Sequence, residues 1–333
     1  MNKLQKKILV IGGCGYIGSH MVKYLCEKGH SVTIIDNLST GYADSLLGGE
    51  LIVGDFGDSK LVDSTLKNNA FDGVIHFASY IQVSESVSNP SKYYLNNLCK
   101  TISFLDVLKK YKHIPLVFSS TAAVYGNPSS YPITESSILN PINPYGKSKL
   151  YIENILNDYN AAYGLKSVSL RYFNASGSDS QSRIGERHEP ETHLIPLAIQ
   201  AALGVRPPLN VYGVDYNTKD GTCIRDYIHV EDLVIAHFHA LMYLESGGDT
   251  NSFNLGAGVG YSVFEVIECI SSITGLKVPH KIMGRRAGDP DVLIAGIELA
   301  KKSLNWHPKY SKLENIIKDA YNWEVKRSLI HQN

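Results

Sequence analysis

The chain has 333 residues, 44% hydrophobic and 19% charged, which is enough to bury a core without disulfides or a structural metal and excludes a largely disordered chain. Glycine and proline number only 28 and 13, so collagen-like and low-complexity classes are excluded as well. Lys plus Arg equals Asp plus Glu at 32 each. No bulk charge draws such a chain to nucleic acid or to an anionic membrane.

Lys3, Lys6 and Lys7 precede an apolar strand at 8–11 that stops at Gly12-Gly13, too short for the core of a signal peptide. A helix is expected over 17–28, closed by Gly29, then a strand at 32–35 ending at Asp36. Residues 51–53, 73–77 and 116–119 read as further strands, with one long helix over 91–110 between the last two. A second long helix runs from Pro144 to Tyr163 with Gly164 as its stop, and 166–173 is another strand. Strands this apolar expect helices on both faces.

Beyond Asn174 the texture changes. Residues 175–225 are rich in Gly, Pro and polar side chains, with a helical island near 193–203, and read as binding loops. A helix at 229–244 and a strand at 252–255 then return to the sheet. The expected fold is α/β: a doubly wound, Rossmann-like parallel sheet with a smaller, discontinuous C-terminal α/β substrate domain. The boundaries are 1–174 plus about 226–258 for the first unit, and 175–225 with 259–333 for the second. No apolar run approaches eighteen residues, so no membrane span is expected. The five cysteines are scattered without C-x-x-C spacing, which predicts no zinc site and a reducing, cytoplasmic setting.

Three motifs carry chemistry. Gly12-x-x-Gly15-x-x-Gly18 follows a strand and opens a helix, so its backbone can approach a pyrophosphate at a helix N-terminus. Asp36, eighteen residues past Gly18, suits the ribose hydroxyls of an adenosine and repels a 2′-phosphate, favouring NAD over NADP. Tyr145 and Lys149 are four apart on a predicted helix and therefore share a face. A tyrosine is a poor base until a neighbouring ammonium stabilises its phenolate; the chain has 21 tyrosines, so the spacing alone is also compatible with coincidence. Thr121, in Phe118-Ser119-Ser120-Thr121, ends a strand where open α/β sheets place ligands, though such a hydroxyl also caps the segment after it.

These motifs, in this order, resemble the extended short-chain dehydrogenase/reductase family. Longer strings resemble its UDP-glucose (UDP-galactose) 4-epimerase branch: Asn37-Leu38-Ser39, Ser119 through Gly126, Asn143 through Leu150, Leu170 through Asn174, Asp220 through Val230, and Asn254 through Gly258. The likeness runs from Ile8 to about Trp323. It implies reversible C4 epimerisation of UDP-glucose and UDP-galactose through a 4-keto intermediate on bound NAD, by a homodimer. Tyr145 would be the base, Lys149 its partner on the nicotinamide ribose, and Thr121 the hydroxyl beside the sugar 4-oxygen. Gly12, Gly15, Tyr16, Ile17, Gly18, Asp36, Asn37, Asp55, Phe56, Phe77, Ala78, Asn96 and Phe173 would line the NAD site. Asn174, Leu194, Tyr212, Arg225, Arg286 and Asp289 would hold the UDP-sugar, with the arginines opposite the pyrophosphate. Leu293 falls where pocket size is set, which leaves N-acetylated sugars open. Ile81 stands where some members carry a lysine near the nicotinamide, and Thr121 where many have serine.

Rival readings are a 4,6-dehydratase, a UDP-glucuronate 4-epimerase and a non-catalytic NAD sensor. Ala122-Ala123 after Thr121 lacks the acid–base pair of a dehydratase, and a sensor would not need both Tyr145 and Lys149. His188 and His193 are five apart with Pro190 between them, which misses the helical H-E-x-x-H spacing; His237 and His239 are two apart on a helix. All four are read as structural. Lys109, Lys110 and Lys112 read as a solvated helix end.

Overall fold

The apolar runs at Lys7–Ile11, Gly73–His76 and Leu116–Ser119 become central strands buried on both faces. The computed structural model describes residues 5–111, 113–286 and 288–330; Lys3 and Lys112, named above, lie outside them. The strands in chain order are β1 (Lys7–Ile11), β2 (Ser31–Asp36), β3 (Glu50–Val53), β4 (Gly73–His76), β5 (Leu116–Ser119) and β6 (Ser167–Tyr172). They are followed by β7 (Asn174–Ser176), β8 (Leu209–Tyr212), β9 (Ile224–His229), β10 (Asn251–Leu255), β11 (Gly260–Ser262), β12 (His280–Met283) and β13 (Val292–Leu293).

Seven of them form one parallel sheet in the order β10-β6-β5-β4-β1-β2-β3. Successive side chains alternate between its faces. Ile8 and Val10 pack with the helices Tyr16–Glu27 and Val230–Glu245 on one face. Leu9 and Ile11 pack with Ser59–Lys67, Lys100–Leu108 and Pro144–Tyr163 on the other. Burying each such aliphatic side chain contributes about 1.5–3 kcal/mol. The chain leaves β1 toward β2 and β3, then crosses to β4 on the opposite side. The crevice beyond β1 and β4 is therefore the topological switch point, the place where such sheets bind ligands.

The helix Pro144–Tyr163 has the bounds its caps predict. Asn143 Oδ1 accepts from Gly146 N at 2.8 Å, Pro144 opens the first turn, and Gly164 ends it at φ 73°. The expected long helix over 91–110 is a correction: it is Pro90–Tyr93, a π-helical turn at Tyr94–Cys99, then Lys100–Leu108. One inserted residue leaves the apolar period almost unchanged, so the pattern does not betray it. The insertion buries Asn97, which accepts from Tyr80 N at 2.9 Å and donates to Tyr80 O at 3.0 Å.

Of the segment expected to return to the sheet, β10 does so beside β6. β9 does not; it is the centre of a second sheet with β7, β11 and β13. The reason is Asp226, a buried carboxylate in mid-strand that accepts from Ala257 N (2.7 Å), Gly258 N (3.0 Å) and Ala295 N (3.1 Å). A strand sandwiched between apolar helices offers no such donors. A third core joins the helices Leu194–Ala202, Val263–Thr274 and Leu313–Ile330 around β8 and Tyr227. Residues 295–306, including Trp306, pack with the large sheet instead. Among the described residues, no helix is long and apolar enough to cross a membrane.

Candidate active site

The glycine loop spans the switch point. A Cβ on Gly12, at φ 78°, would lie 2.6 Å from Ala78 N just after β4, and one on Gly18 would collide with the Gly12 carbonyl. These two glycines are required by the protein's own packing. Gly15 is not: its φ is −76°, and a Cβ there would meet only Gly12 O at an ordinary 3.5 Å. Nothing internal demands glycine at this helix N-cap, whereas a phosphate approaching the free N–H groups of Tyr16–Glu27 would. That first turn carries no acidic residue, so the positive end of the helix is available to an anion.

Asp36 closes β2 beside the loop, its Oδ2 accepting from Cys14 N (2.9 Å) and its Oδ1 from Leu38 N (2.8 Å). Leu38 has φ 57°, a left-handed conformation that a leucine adopts only where its surroundings impose it. Asn37 donates to Asp55 at 3.0 Å, and Asp55 pairs with Lys100 at 2.5 Å. Tyr16 is pinned by its hydroxyl to Gly177 O at 2.6 Å, with Ile17 half-buried beside it. Phe56 and Phe173 are buried in the cores, while Phe77 packs on His237 at 4.8 Å. Asn96 is half-buried and donates to Asn97 at 3.1 Å. The crevice thus fits a dinucleotide: glycine approach and helix N-terminus for the pyrophosphate, and a carboxylate at the adjoining strand end for a ribose.

Thr121, Tyr145 and Lys149 come together beyond β5. Thr121 caps the short turn Ala122–Tyr125, with Oγ1 accepting from Ala123 N at 3.2 Å. Burial holds the Tyr145 phenol above the usual tyrosine range, opposed by the neighbouring Thr121 hydroxyl, which favours the phenolate. Lys149 is 2% exposed and donates to Ser119 O at 2.8 Å, with its ammonium 6.0 Å from the Tyr145 ring centre. Burial lowers its pKa to about 7, opposed by the charge of Glu153. The capping role weighed for Thr121 is therefore present.

A buried network supports this triad, and the sequence reading missed it. Ser120 donates to Glu153, Glu153 takes the Arg171 guanidinium at 2.6 Å, Arg171 donates to Tyr125 at 3.0 Å, and Tyr125 to Asn254 at 2.7 Å. Tyr145, Lys149 and Glu153 recur every four residues, a stripe that the sequence does display. Asn97 lay hidden by the π turn. His237, read as structural, is fully buried with its pKa lowered to about 4, and its Nε2 faces Ser119 Oγ at 3.1 Å.

Of the expected substrate residues, Asn174, Arg225 and Leu293 lie on the second sheet, and Tyr212 ends β8 in a separate two-stranded sheet. Arg225 on β9 pairs with Asp289 and lies opposite Leu293 in the β9–β13 register. Arg286 lies 4.0 Å over the Tyr212 ring. Asn174 donates to Asp226 O at 2.8 Å, and Leu194 begins the helix Leu194–Ala202. Glu186, His188, Glu191 and His193 also converge, behind Tyr16.

Comparison with known proteins matches residues 8–256 to the model of the NAD dependent epimerase/dehydratase family. The chain belongs to this family. Among curated members of the epimerase/dehydratase family, the UDP-glucose 4-epimerase of Halalkalibacterium halodurans is 49% identical over 316 residues, 95% of each chain. The crystal structure of UDP-glucose 4-epimerase from Brucella ovis in complex with NAD superposes with a TM-score of 0.94 at 47% identity, over 96% of this chain and 98% of that one. The UDP-Glc/GlcNAc 4-epimerase of Campylobacter jejuni gives 0.84 at 41% identity, over 96% and 99%.

Proposed function

We propose that this protein interconverts UDP-glucose and UDP-galactose by inverting C4 of the hexose, with NAD as its resident cofactor. The observation that carries the reading is the buried cluster of Thr121, Tyr145 and the Lys149 ammonium, at a strand end beside a dinucleotide crevice. Relatives named UDP-glucose 4-epimerase over nearly the whole length support the substrate; a UDP-glucuronate 4-epimerase is not favoured by them.

Gly12, Gly15 and Gly18 would cradle the pyrophosphate, Asp36 and Asn37 the adenosine side, and Lys149 with Tyr16, Phe77, Ala78 and Asn96 the remainder. Bound there, NAD supplies reversible oxidation at C4, so that the hydrogen removed from one face can be returned to the other. Tyr145 takes the proton of the 4-hydroxyl and later gives one back to the same oxygen. Lys149 holds the phenolate form, and Thr121 bonds the 4-oxygen while keeping the phenol aligned. Arg225 and Arg286 clamp the substrate pyrophosphate, with Asn174, Leu194, Tyr212 and Asp289 around the nucleotide, so the sugar alone is free to turn over.

In this reading 1–174 with 226–258 serves the cofactor, and 175–225 with 259–333 the nucleotide sugar. Exposed Val87, Leu95 and Tyr151 on the helices near 83–99 and on Pro144–Tyr163 support a homodimer, and the scattered free cysteines suit a reducing, cytoplasmic setting. The test is proton NMR of UDP-galactose incubated with protein and NAD. UDP-glucose should appear, and Tyr145→Phe should slow it by about 10²–10⁴-fold while remaining folded. Comparable rates in the two proteins would refute the role of Tyr145.

A further inference from the structure

The spacing rule that sets His188 and His193 aside presumes a helix, but these residues lie on a loop that runs into the helix Leu194–Ala202. Folding brings four donor atoms together. His193 Nδ1 lies 2.7 Å from Glu186 Oε1 and 2.9 Å from Glu191 Oε1; His188 Nδ1 lies 3.2 Å from Glu186 Oε1 and 3.6 Å from Glu191 Oε2. One donor atom from each residue falls within 4.8 Å of every other. We propose that Glu186, His188, Glu191 and His193 bind one divalent transition-metal cation, with zinc the first choice, at a structural site separate from the catalytic centre.

Three observations carry this. His188 Nδ1, at 3.2 and 3.6 Å from the two carboxylates, lies near the tetrahedral edges of about 3.3–3.6 Å that metal–ligand bonds of about 2.0–2.2 Å give, whereas the 2.7 and 2.9 Å contacts of His193 are hydrogen-bond distances that open by about half an ångström to admit an ion. Two carboxylates supply the two negative charges that a divalent cation needs, and the side chains of Glu186 and Glu191 are only 5% and 2% exposed. The decisive point is what hydrogen bonding leaves unused. Glu191 Oε1 is occupied by Thr192 N at 2.7 Å and His193 N at 2.9 Å. Glu191 Oε2 and His188 Nδ1 are buried without a hydrogen-bond partner and face each other too far apart to bond. Burying such groups unpaired is costly, and an ion between them would satisfy both.

Two imidazole nitrogens with two carboxylate oxygens select a first-row cation over magnesium or calcium. Four protein ligands close the shell, which marks a structural rather than a catalytic ion. The His188 ring meets the edge of Tyr16 at 6.2 Å, and Trp323 donates to Glu186 O at 2.9 Å. A cation here would therefore fasten the loop before Leu194 to the glycine-loop helix and to the C-terminal helix. The inference stands independently of the proposed reaction.

The test is calorimetric titration of tag-free, chelator-stripped protein with Zn²⁺, with Mn²⁺ and Mg²⁺ as parallel arms. Expected is saturable binding of one Zn²⁺ per chain, weaker Mg²⁺ binding, a raised Tm, and at least about tenfold weaker Zn²⁺ binding in Glu191→Gln and His188→Gln. Absence of one-equivalent binding in the parent, or unchanged affinity in both variants, overturns the site. Should the variants not fold, NMR of the Co²⁺-loaded parent decides: two paramagnetically shifted imidazole N–H signals are expected, and their absence overturns it.

Discussion

Glu153 lies one helical turn beyond Lys149 and, among the described residues, is the carboxylate whose charge opposes the burial of that ammonium. It does so without bonding it, because its oxygens are taken by Arg171 and Ser120. The anion is thus fixed by a buried guanidinium at the distance needed to support the lysine, and leaves Lys149 free to act toward Tyr145.

Replacing Glu153 by Gln removes this support. Lys149, already held near pH 7, should lose its proton at still lower pH, so the alkaline limb of the kcat–pH profile should move down by about one unit, a tenfold change in the ammonium ratio. Unfolding should also become easier by about 3–5 kcal/mol, because a buried Arg171 loses its partner. A pH–rate profile with an unmoved alkaline limb in folded Glu153→Gln contradicts the relationship.

Lys149 itself should cost stability. Its folded pKa of about 7 lies below the unfolded value of 10.5, so the unfolded chain binds the extra proton across that window. The parent therefore gains stability as pH rises from 7 toward 10.5, and the penalty is complete below 7. Cofactor-free Lys149→Met should be the more stable protein at pH 7, by about 2–4 kcal/mol, and the difference should shrink toward pH 10. Urea unfolding at both pH values checks this; a parent more stable at pH 7 contradicts it.

Asp36 should exclude a 2′-phosphate. The parent is expected to bind NAD at least about tenfold more tightly than NADP, and Asp36→Ala to narrow that ratio. Calorimetry with both dinucleotides reads it directly, and equal affinities in the parent contradict the assignment.

Much of the fold was legible because its signals are local. Asn143, Pro144 and Gly164 mark a helix without help from the rest of the chain, and β1 announces itself by four consecutive apolar residues before Gly12. The parts that were not legible depend on distant partners. The π turn that buries Asn97 differs from an ordinary helix by one residue. Asp226 draws β9 into a second sheet through donors at 257, 258 and 295. His188 and His193 fail a helical spacing that their loop does not obey. Within the candidate site, Tyr145 and Lys149 were readable from spacing, whereas Arg171 becomes visible only once β6 lies beside the helix Pro144–Tyr163.

Leu293 should decide how large a sugar can turn. It lies opposite Arg225 on the edge of the second sheet, and a tyrosine there would be larger by most of an aromatic ring. Some activity on UDP-N-acetylgalactosamine is expected beside UDP-galactose, with a loss of about 10–200-fold in relative kcat/KM in Leu293→Tyr. An unchanged ratio of kcat/KM for the two sugars would show that Leu293 does not gate the pocket.

The central claim is that C4 is inverted by removing a hydrogen and returning that same hydrogen, while Tyr145 handles only the hydroxyl proton. UDP-galactose carrying deuterium at C4 tests it most directly, incubated with the NAD-loaded enzyme in ordinary water and followed by NMR. The account predicts UDP-glucose that keeps its deuterium at C4, because only the hydroxyl proton exchanges with water. Product carrying solvent hydrogen at C4 would contradict it.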